Sequence, residues 1–161
     1  MEQARVDLNA LATDALERFR TSEYAANHVL ELRADRQIVG TWDESRLDQV
    51  LTNLISNALK YSPDGGRVLV ELSVRGEEAL IRVSDEGLGS AEERIPDLFQ
   101  PFSRVHSDTP LVNSTGLGLY IASQLVERHG GSIDVTSCLG EGTTFTIRIP
   151  LRALDDAEVD A

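Results

Sequence analysis

Hydrophobic positions recur along the chain with two different spacings, and these spacings predict helices and strands. Apolar side chains at helical intervals predict a first helix from Asp7, in the position of a capping residue, to about Arg20. A longer helix is predicted from Asp43 to about Tyr61, where the turn sequence SPDGG follows. A third helix is predicted over residues 116–129.

Strand patterns lie between the predicted helices. Residues 28–33 alternate between apolar and polar positions, and residues 37–42 predict a second short strand. Residues 67–85 predict a hairpin, and GGSIDVTS and TTFTIRIPL predict two last strands around a Gly-rich turn. This order favours an α+β two-layer sandwich, in which helices cover one face of a mixed sheet.

Two segments show neither spacing. Residues 100–115 contain two prolines and the sequence STG, which predicts an irregular, lid-like segment preceded by a short helical piece near residues 92–98. Residues 151–161 are an acidic tail that we expect to fray. Residues 1–150 are therefore predicted to form one domain.

The composition excludes several classes of function. A net charge of −12 argues against a nucleic-acid surface, which needs clustered Lys and Arg. No apolar run reaches the roughly 18 residues of a membrane span, so we expect no direct membrane contact. The single cysteine, Cys138, excludes an internal disulfide and favours a reducing compartment. We expect the isolated domain to be monomeric.

The second predicted helix contains the sequence NLISNALKYS, in which polar residues interrupt an apolar run. On a helical wheel of about 100° per residue, Asn53, Asn57 and Lys60 fall within an arc of roughly 60°. A solvated helix face is the usual explanation for such a stripe. In this acidic, arginine-rich chain a solvated face would carry Glu and Arg, whereas amides and the only lysine suit a phosphate and Mg²⁺.

Three glycine-containing motifs follow. DEGLGS begins at Asp85, where a strand ends, and a carboxylate there can accept a hydrogen bond from an exocyclic amine. STGLG leads into the third helix, whose first N–H groups can bind an anion. GEGTTF places a turn before Thr143. Each motif taken alone is also explained by ordinary turns or by close helix packing.

Taken together and in this order, NLISNALKYS, DEGLGS, LFQPFSR, STGLGLYIA and GEGTTF resemble the N, G1, F, G2 and G3 boxes of the ATP-binding catalytic domain of sensor histidine kinases. Gyrase B subunits, heat-shock chaperone ATPases and mismatch-repair ATPases share that fold. The resemblance covers about residues 5–150. It implies a mixed, mostly antiparallel sheet covered on one face by about three helices, with an ATP lid at about residues 96–115.

The resemblance also implies roles for individual residues. Asn57 would bind Mg²⁺, with Asn53 as an alternative second contact, and Lys60 and Arg104 would contact the phosphates and complete the catalytic set. Asp85 would accept a hydrogen bond from the adenine amino group. The remaining implied ATP-binding residues are Tyr61, Gly87, Leu88, Gly89, Thr115, Gly116, Leu117, Gly118, Leu119 and Thr143, with Thr144 as the alternative to Thr143. Phe99 and Phe102 would anchor the lid.

The histidine that accepts the phosphate is not found in the sequence. In the family it lies in a separate helical-hairpin domain and is usually followed by an acidic residue, whereas His28, His106 and His129 are followed by valine, serine and glycine. We therefore expect structural roles for these histidines. The phosphoacceptor dimerisation domain is expected elsewhere in the same full-length protein, with a response regulator as an indirect partner.

One position separates the branches of the superfamily. Its hydrolytic members and its serine-kinase anti-sigma factors carry an acidic general base one helical turn before the magnesium-binding asparagine, and here that position is Asn53. An amide at this position favours the histidine-kinase branch, in which the γ-phosphate of Mg-ATP is transferred to a histidine in two-component signal transduction. The alternatives are a nucleotide-gated interaction module, an ATPase or an anti-sigma-type kinase. The expected location is the cytoplasm, either alone or as the cytoplasmic part of a membrane-anchored sensor.

Overall fold

Three helices and seven strands make up the part of the chain that the computed structural model describes, which is residues 2–21, 27–62, 65–87 and 118–152. In chain order they are β1 (Ala4–Asp7), α1 (Leu8–Arg20), β2 (His28–Ala34), β3 (Val39–Trp42), α2 (Glu44–Lys60), β4 (Gly66–Arg75), β5 (Glu78–Ser84), α3 (Gly118–Arg128), β6 (Ser132–Cys138) and β7 (Gly142–Pro150). The predicted helical piece near residues 92–98, the lid and residues 153–161 lie outside this part.

The main sheet has five strands in the order β2-β4-β5-β7-β6. Strands β2 and β4 are parallel, and the other neighbouring pairs are antiparallel. The predicted α+β class and the mixed, mostly antiparallel sheet are therefore confirmed. Strand β3 does not join this sheet but pairs with β1 in a separate two-stranded sheet. The hydrophobic pattern missed β1, because Val6 is the only buried residue in its four-residue sequence.

The two faces of the main sheet have different surroundings. The side facing the helices is apolar, and its most deeply buried members include Val68, Val70, Ile81, Val83, Phe145, Ile147 and Ile149. The opposite side carries ion pairs such as Arg67–Glu31 at 3.4 Å and Arg148–Asp134 at 3.3 Å. Exposed pairs of this kind contribute little to stability. The helices therefore cover one face of the sheet, as predicted, and one continuous core lies between the two layers.

One buried hydrogen bond attaches the C-terminal end of α3 to the N-terminal end of α2. Asp43 caps α2 by accepting from the N–H of Arg46 at 3.1 Å, and its own N–H donates to Nε2 of His129 at 3.2 Å. Since this Nε2 accepts, the proton is on Nδ1, which donates to the carbonyl oxygen of Leu125 at 2.8 Å. His129 therefore has the structural role that we expect for it.

Helix α2 supplies the largest helical share of the core. Its buried residues follow the helical repeat and are Leu47, Val50, Leu51, Leu54, Ile55, Ala58 and Leu59. Leu54 lies in the middle of this face and has no exposed surface. Because α2 also carries the polar stripe, the same packing positions the candidate functional residues on its flank.

We expect Leu54→Ala to lower the free energy of unfolding by about 2–5 kcal/mol, because it removes buried methyl groups and leaves a cavity. Chemical denaturation followed by circular dichroism measures this difference. Gln49→Ala is a matched control, because Gln49 is exposed on the same helix, and it should change stability by no more than about 0.5 kcal/mol. Equal effects of the two substitutions would contradict the packing of α2 described above.

Candidate functional site

The polar stripe of α2 lies at the border of the core. Asn53, Asn57 and Lys60 are each half-buried, whereas Arg46 and Gln49 nearer the start of the helix are exposed. In the second half of α2 the stripe is therefore neither part of the core nor an ordinary solvated face. Side chains in such a position are sheltered from water on one side and accessible to a ligand on the other.

Asn53 joins the stripe to the first described residue of α3. Its Nδ2 donates to the carbonyl oxygen of Gly118 at 3.1 Å. A carbonyl oxygen only accepts hydrogen bonds, so the amide nitrogen must face Gly118 and the amide oxygen points away from that bond. The amide oxygen of Asn53 is thus the atom that a cation or a donor group could use.

Asn57 and Lys60 have fewer internal partners. The side-chain amide of Asn57 makes no hydrogen bond with another described residue, and its backbone oxygen accepts from the N–H of Tyr61 at 3.0 Å. Lys60, the last residue of α2, makes no ion pair within the described part of the chain. Because these two side chains are not engaged by other described residues, they are available to a ligand, and an amide oxygen and an ammonium group suit a metal ion and a phosphate.

Asp85 is a buried carboxylate immediately after β5. Only 8% of the residue is exposed, and its Oδ1 accepts from the N–H of Gly87 at 2.9 Å. Burial raises the pKa of Asp85 to about 6, although backbone hydrogen bonds with Gly87 and Thr143 and the charge of His28 partly oppose the rise. The carboxylate is therefore mostly ionised at neutral pH and becomes protonated in mildly acidic solution.

Two glycines allow the backbone to close around Asp85. A Cβ atom on Gly87 would lie 2.1 Å from the carbonyl oxygen of Tyr61, and one on Gly142 would lie 2.1 Å from that of Asp85. No side chain fits at either position. At Gly118, by contrast, a Cβ atom would meet no described atom within 4 Å. Packing among the described residues therefore does not require glycine at Gly118, which favours close approach of a ligand as the reason for it.

The two threonines of GEGTTF face opposite sides of the sheet. Thr143 lies on the helix-covered side, where its backbone oxygen accepts from the N–H of Asp85 at 2.9 Å and its hydroxyl contacts that of Ser137 at 2.9 Å. Thr144 lies on the open side, where its hydroxyl contacts that of Ser84 at 3.0 Å. Of the two, only Thr143 shares a face with Asp85.

The other predicted site residues divide into two groups. Tyr61 is half-buried and follows Lys60 directly, whereas Leu119 is 7% exposed and belongs to the core, so its backbone alone could contact a ligand. The predicted residues that lie outside the described part of the chain are Leu88, Gly89, Phe99, Phe102, Arg104, Thr115, Gly116 and Leu117.

Besides the bond from Asn53 to Gly118, sequence reasoning missed a contact between His28 and Ser62 beside the site. Nε2 of His28 lies 2.7 Å from the backbone oxygen of Ser62 and 3.1 Å from its hydroxyl. The two residues are 34 positions apart, and no local pattern links a strand histidine to the turn after α2. Ser62 is buried, and its hydroxyl donates to the carbonyl oxygen of Ala58 at 2.5 Å.

A separate cavity of about 890 Å³ opens at the other end of α2, beside the N-terminal segment and α1. Its lining is acidic and includes Glu2, Asp14, Glu17, Glu44 and Asp48, and Arg18 is the one cation among the described lining residues. Arg18 is itself paired with Asp48 at 2.5 Å. Carboxylates repel phosphates, so this cavity is not suited to a nucleotide.

Known proteins resemble the chain in both sequence and structure. The family model described as histidine kinase-, DNA gyrase B- and HSP90-like ATPase matches residues 42–153. The sensor histidine kinase WalK of Bacillus subtilis is 37% identical over 148 residues, which are 90% of this chain and 24% of WalK. The sensor protein SrrB of Staphylococcus aureus (strain MRSA252) is 43% identical over 113 residues, which are 70% of this chain and 19% of SrrB. The chain thus spans a quarter or less of these relatives.

Solved structures show the same fold. The mycobacterial sensor histidine kinase MprB superposes with a TM-score of 0.81 at 28% identity, over 95% of this chain and all of that one. Full-length ShkA in complex with AMPPNP superposes with a TM-score of 0.82 at 29% identity, over 95% of this chain and 32% of ShkA.

The described helices include none with both the length and the apolar character needed to cross a membrane. The five motifs, the sheet order and the matches to family and structures agree with one another. The chain belongs to the family of histidine kinase-, DNA gyrase B- and HSP90-like ATPases.

Proposed function

We propose that the chain binds Mg-ATP beside α2 and transfers the γ-phosphate to a histidine on a helical-hairpin dimerisation domain of the same full-length protein. The observation that carries this proposal is the pair Asn57 and Lys60. Both are half-buried on a helix whose adjoining face is core, and both lack a polar side-chain partner among the described residues. Membership of an ATPase family and similarity to sensor histidine kinases support the nature of the ligand.

The adenine would be recognised at the end of β5. The ionised carboxylate of Asp85 accepts a hydrogen bond from the exocyclic amino group, and burial strengthens this bond because little water competes for it. Thr143 is positioned beside this carboxylate, and Gly87 lets the chain approach closely. Tyr61, half-buried next to Lys60, would pack near the nucleotide. From the G1 motif, Leu88 and Gly89 would complete the pocket.

The phosphates would lie between α2 and the start of α3. Lys60 and Arg104 would neutralise their charge, and the segment from Thr115 to Leu119 would supply backbone N–H groups. Asn57 would provide an amide oxygen to Mg²⁺, and the available oxygen of Asn53 makes that residue the candidate for a second contact. When bound, Mg²⁺ draws negative charge from the phosphate oxygens.

Transfer to a histidine needs no general base in this chain. Neutral imidazole already has a lone pair, which attacks the γ-phosphorus as the bond to the β-phosphate oxygen breaks. Asn53 cannot accept a proton at neutral pH, and its N–H₂ group is engaged with Gly118. The residues of this domain would therefore act by positioning the substrate and by neutralising charge.

The proposed setting is the cytoplasm, where ATP is available to the domain. The full-length protein would carry the dimerisation domain, and a response regulator would receive the phosphate from it. The much greater length of the similar sensor proteins supports such a division into several domains.

We expect Asn57→Ala to weaken Mg²⁺-dependent ATP binding by at least about 100-fold, because even outer-shell partners of a metal contribute about 10–100-fold. Isothermal titration with and without Mg²⁺ measures binding. Mixing the chain with a cognate helical-hairpin domain and labelled ATP measures acid-labile phosphohistidine, which should disappear with this variant.

Ser56→Ala is the matched control, because Ser56 is the half-buried neighbour on the same helix. It should retain both ATP binding and phosphotransfer. ATP binding by the wild-type chain without any phosphohistidine would contradict the kinase proposal. ATP-dependent partner binding without turnover would instead favour a nucleotide-gated interaction module.

Asn53→Asp tests why an amide occupies this position. We expect it to weaken ATP binding and to lower the free energy of unfolding by about 1–3 kcal/mol, because a carboxylate cannot donate to the Gly118 oxygen. A phosphate-release assay should show no gain in ATP hydrolysis. Faster ATP hydrolysis with an unchanged free energy of unfolding would contradict this expectation, because it would show that residue 53 matters mainly by having or lacking a general base.

We expect Asp85→Asn to raise the free energy of unfolding while it weakens ATP binding. The pKa of Asp85 is raised to about 6 in the folded chain, so its contribution to stability is present below the unfolded value of about 3.9 and is lost as the pH rises through about 6. The variant should therefore be more stable than the wild type at pH 8, by about 1–3 kcal/mol, and this advantage should shrink as the pH falls towards about 4.

The same substitution should weaken ATP binding about tenfold or more, because a charged acceptor is lost. Wild-type affinity should itself fall as the pH drops through about 6, the pKa of Asp85. Denaturation curves and ATP titrations at several pH values measure both effects. Lower stability of the variant at pH 8 would contradict the burial cost assigned to Asp85.

A further inference from the structure

His28 has no part in the phosphotransfer proposed above, yet it lies close to the candidate adenine site. It is the first residue of β2, and the alternation of that strand places its side chain on the same side as Leu30, which is buried in the core. In the parallel pairing of β2 and β4 it stands opposite Gly66. The side chain of Glu86, next to Asp85, lies against that glycine.

The hydrogen bonds of His28 determine which ring nitrogen carries the proton. Ser62 donates its hydroxyl proton to the oxygen of Ala58, so both oxygens of Ser62 act as acceptors towards His28. Nε2 must therefore be the donor, at 2.7 Å to the backbone oxygen and 3.1 Å to the hydroxyl. The other nitrogen, Nδ1, is buried and has no partner among the described residues.

Ser62 in turn forms part of the surface on which Gly87 rests. A Cβ atom on Gly87 would lie 2.1 Å from the oxygen of Tyr61 and 2.9 Å from Cα of Ser62, so the two backbone segments are in direct contact. The N–H of Gly87 then donates to Oδ1 of Asp85 at 2.9 Å. A continuous set of contacts therefore leads from His28 through Ser62 and Gly87 to the Asp85 carboxylate.

A charged His28 ring would lower the pKa of Asp85 and favour the ionised carboxylate, whereas the neutral ring acts through its hydrogen bonds alone. The other charged groups described around this turn are Glu86, whose carboxylate accepts from the N–H of Arg67 at 2.6 Å, and Arg67 itself. Lys60 ends α2 on the other side of Tyr61.

We propose that His28 is a positioning residue for adenine recognition. By donating to Ser62 it holds the turn after α2 against Gly87, and Gly87 in turn orients the Asp85 carboxylate towards the exocyclic amino group. This inference rests on the proposed binding of ATP. It assigns to His28 a role in selecting a purine that carries an amino group, separate from the binding of phosphates and metal.

The experiment compares two nucleotides in the presence of Mg²⁺. One is ATP, and the other is purine riboside triphosphate, which has the same sugar and phosphates but lacks the exocyclic amino group. Isothermal titration gives the Kd of each for the wild type, His28→Leu, His28→Gln and Val29→Ala. Leucine removes the donor, glutamine restores one, and Val29 is the exposed neighbour on the same strand.

We expect His28→Leu to weaken ATP binding about five- to tenfold, the worth of one well-placed hydrogen bond, and to change the affinity for the analogue less than about twofold. His28→Gln should recover most of the ATP affinity, and Val29→Ala should behave as the wild type. An equal loss for both nucleotides would overturn the proposal, because a purely structural role affects the whole site. Unchanged ATP affinity would also overturn it.

A second measurement uses the wild type alone, in case His28→Leu does not fold. Nitrogen-15 resonances of the His28 ring should show the proton on Nε2 and should shift on adding ATP but much less on adding the analogue. An unprotonated Nε2, or equal shifts with the two nucleotides, would overturn the proposal. If the wild type bound neither nucleotide, the proposed function itself would fail, a result distinct from binding both without a role for His28.

Discussion

Burial of one face of α2 against the sheet and α3 is the interaction on which the rest of the structure depends. A helix turns by about 100° per residue, so a rotation that moved Leu54 or Ala58 out of the core would also carry Asn57 and Lys60 away from their present positions. Close packing resists such a rotation, because a core tolerates neither voids nor overlaps. The candidate site therefore takes its rigidity from the core, and Asn53 extends that rigidity to the start of α3.

The site also contains groups that do not favour stability. Asp85 is an ionisable carboxylate with little exposure, and burial without a full set of partners disfavours its charged form. Gly87 and Gly142 have no side chain, and backbone oxygens therefore approach them more closely than any side chain would allow. Such features persist when the surrounding structure is stable enough to hold them. Their concentration at the end of β5 and the start of β7 distinguishes this corner of the domain from the rest of the sheet.

Much of the architecture could be predicted because it follows from local patterns. Helical spacing located α1 and α2, alternation located the strands of the main sheet, and the five motifs in order indicated the family. Strand β1 was missed, because four residues with one buried position carry no alternation, and its pairing with β3 joins segments separated by α1 and β2. The bond from Asn53 to Gly118 was missed for a similar reason, since its partners are 65 residues apart. A helical wheel identified the stripe but could not show what it touches.

The two described histidines contact residues that are distant in sequence, and local patterns do not predict such contacts. His129 accepts from the N–H of Asp43 at the start of α2, whereas His28 donates to Ser62 just beyond its end. The two rings carry their protons on different nitrogens, because one meets a donor and the other an acceptor. Each histidine comes from a different element, so the two ends of α2 are held independently. Hydrogen bonds at both ends oppose sliding of α2 along its axis, and they therefore help to hold Asn57 and Lys60 in position relative to Asp85.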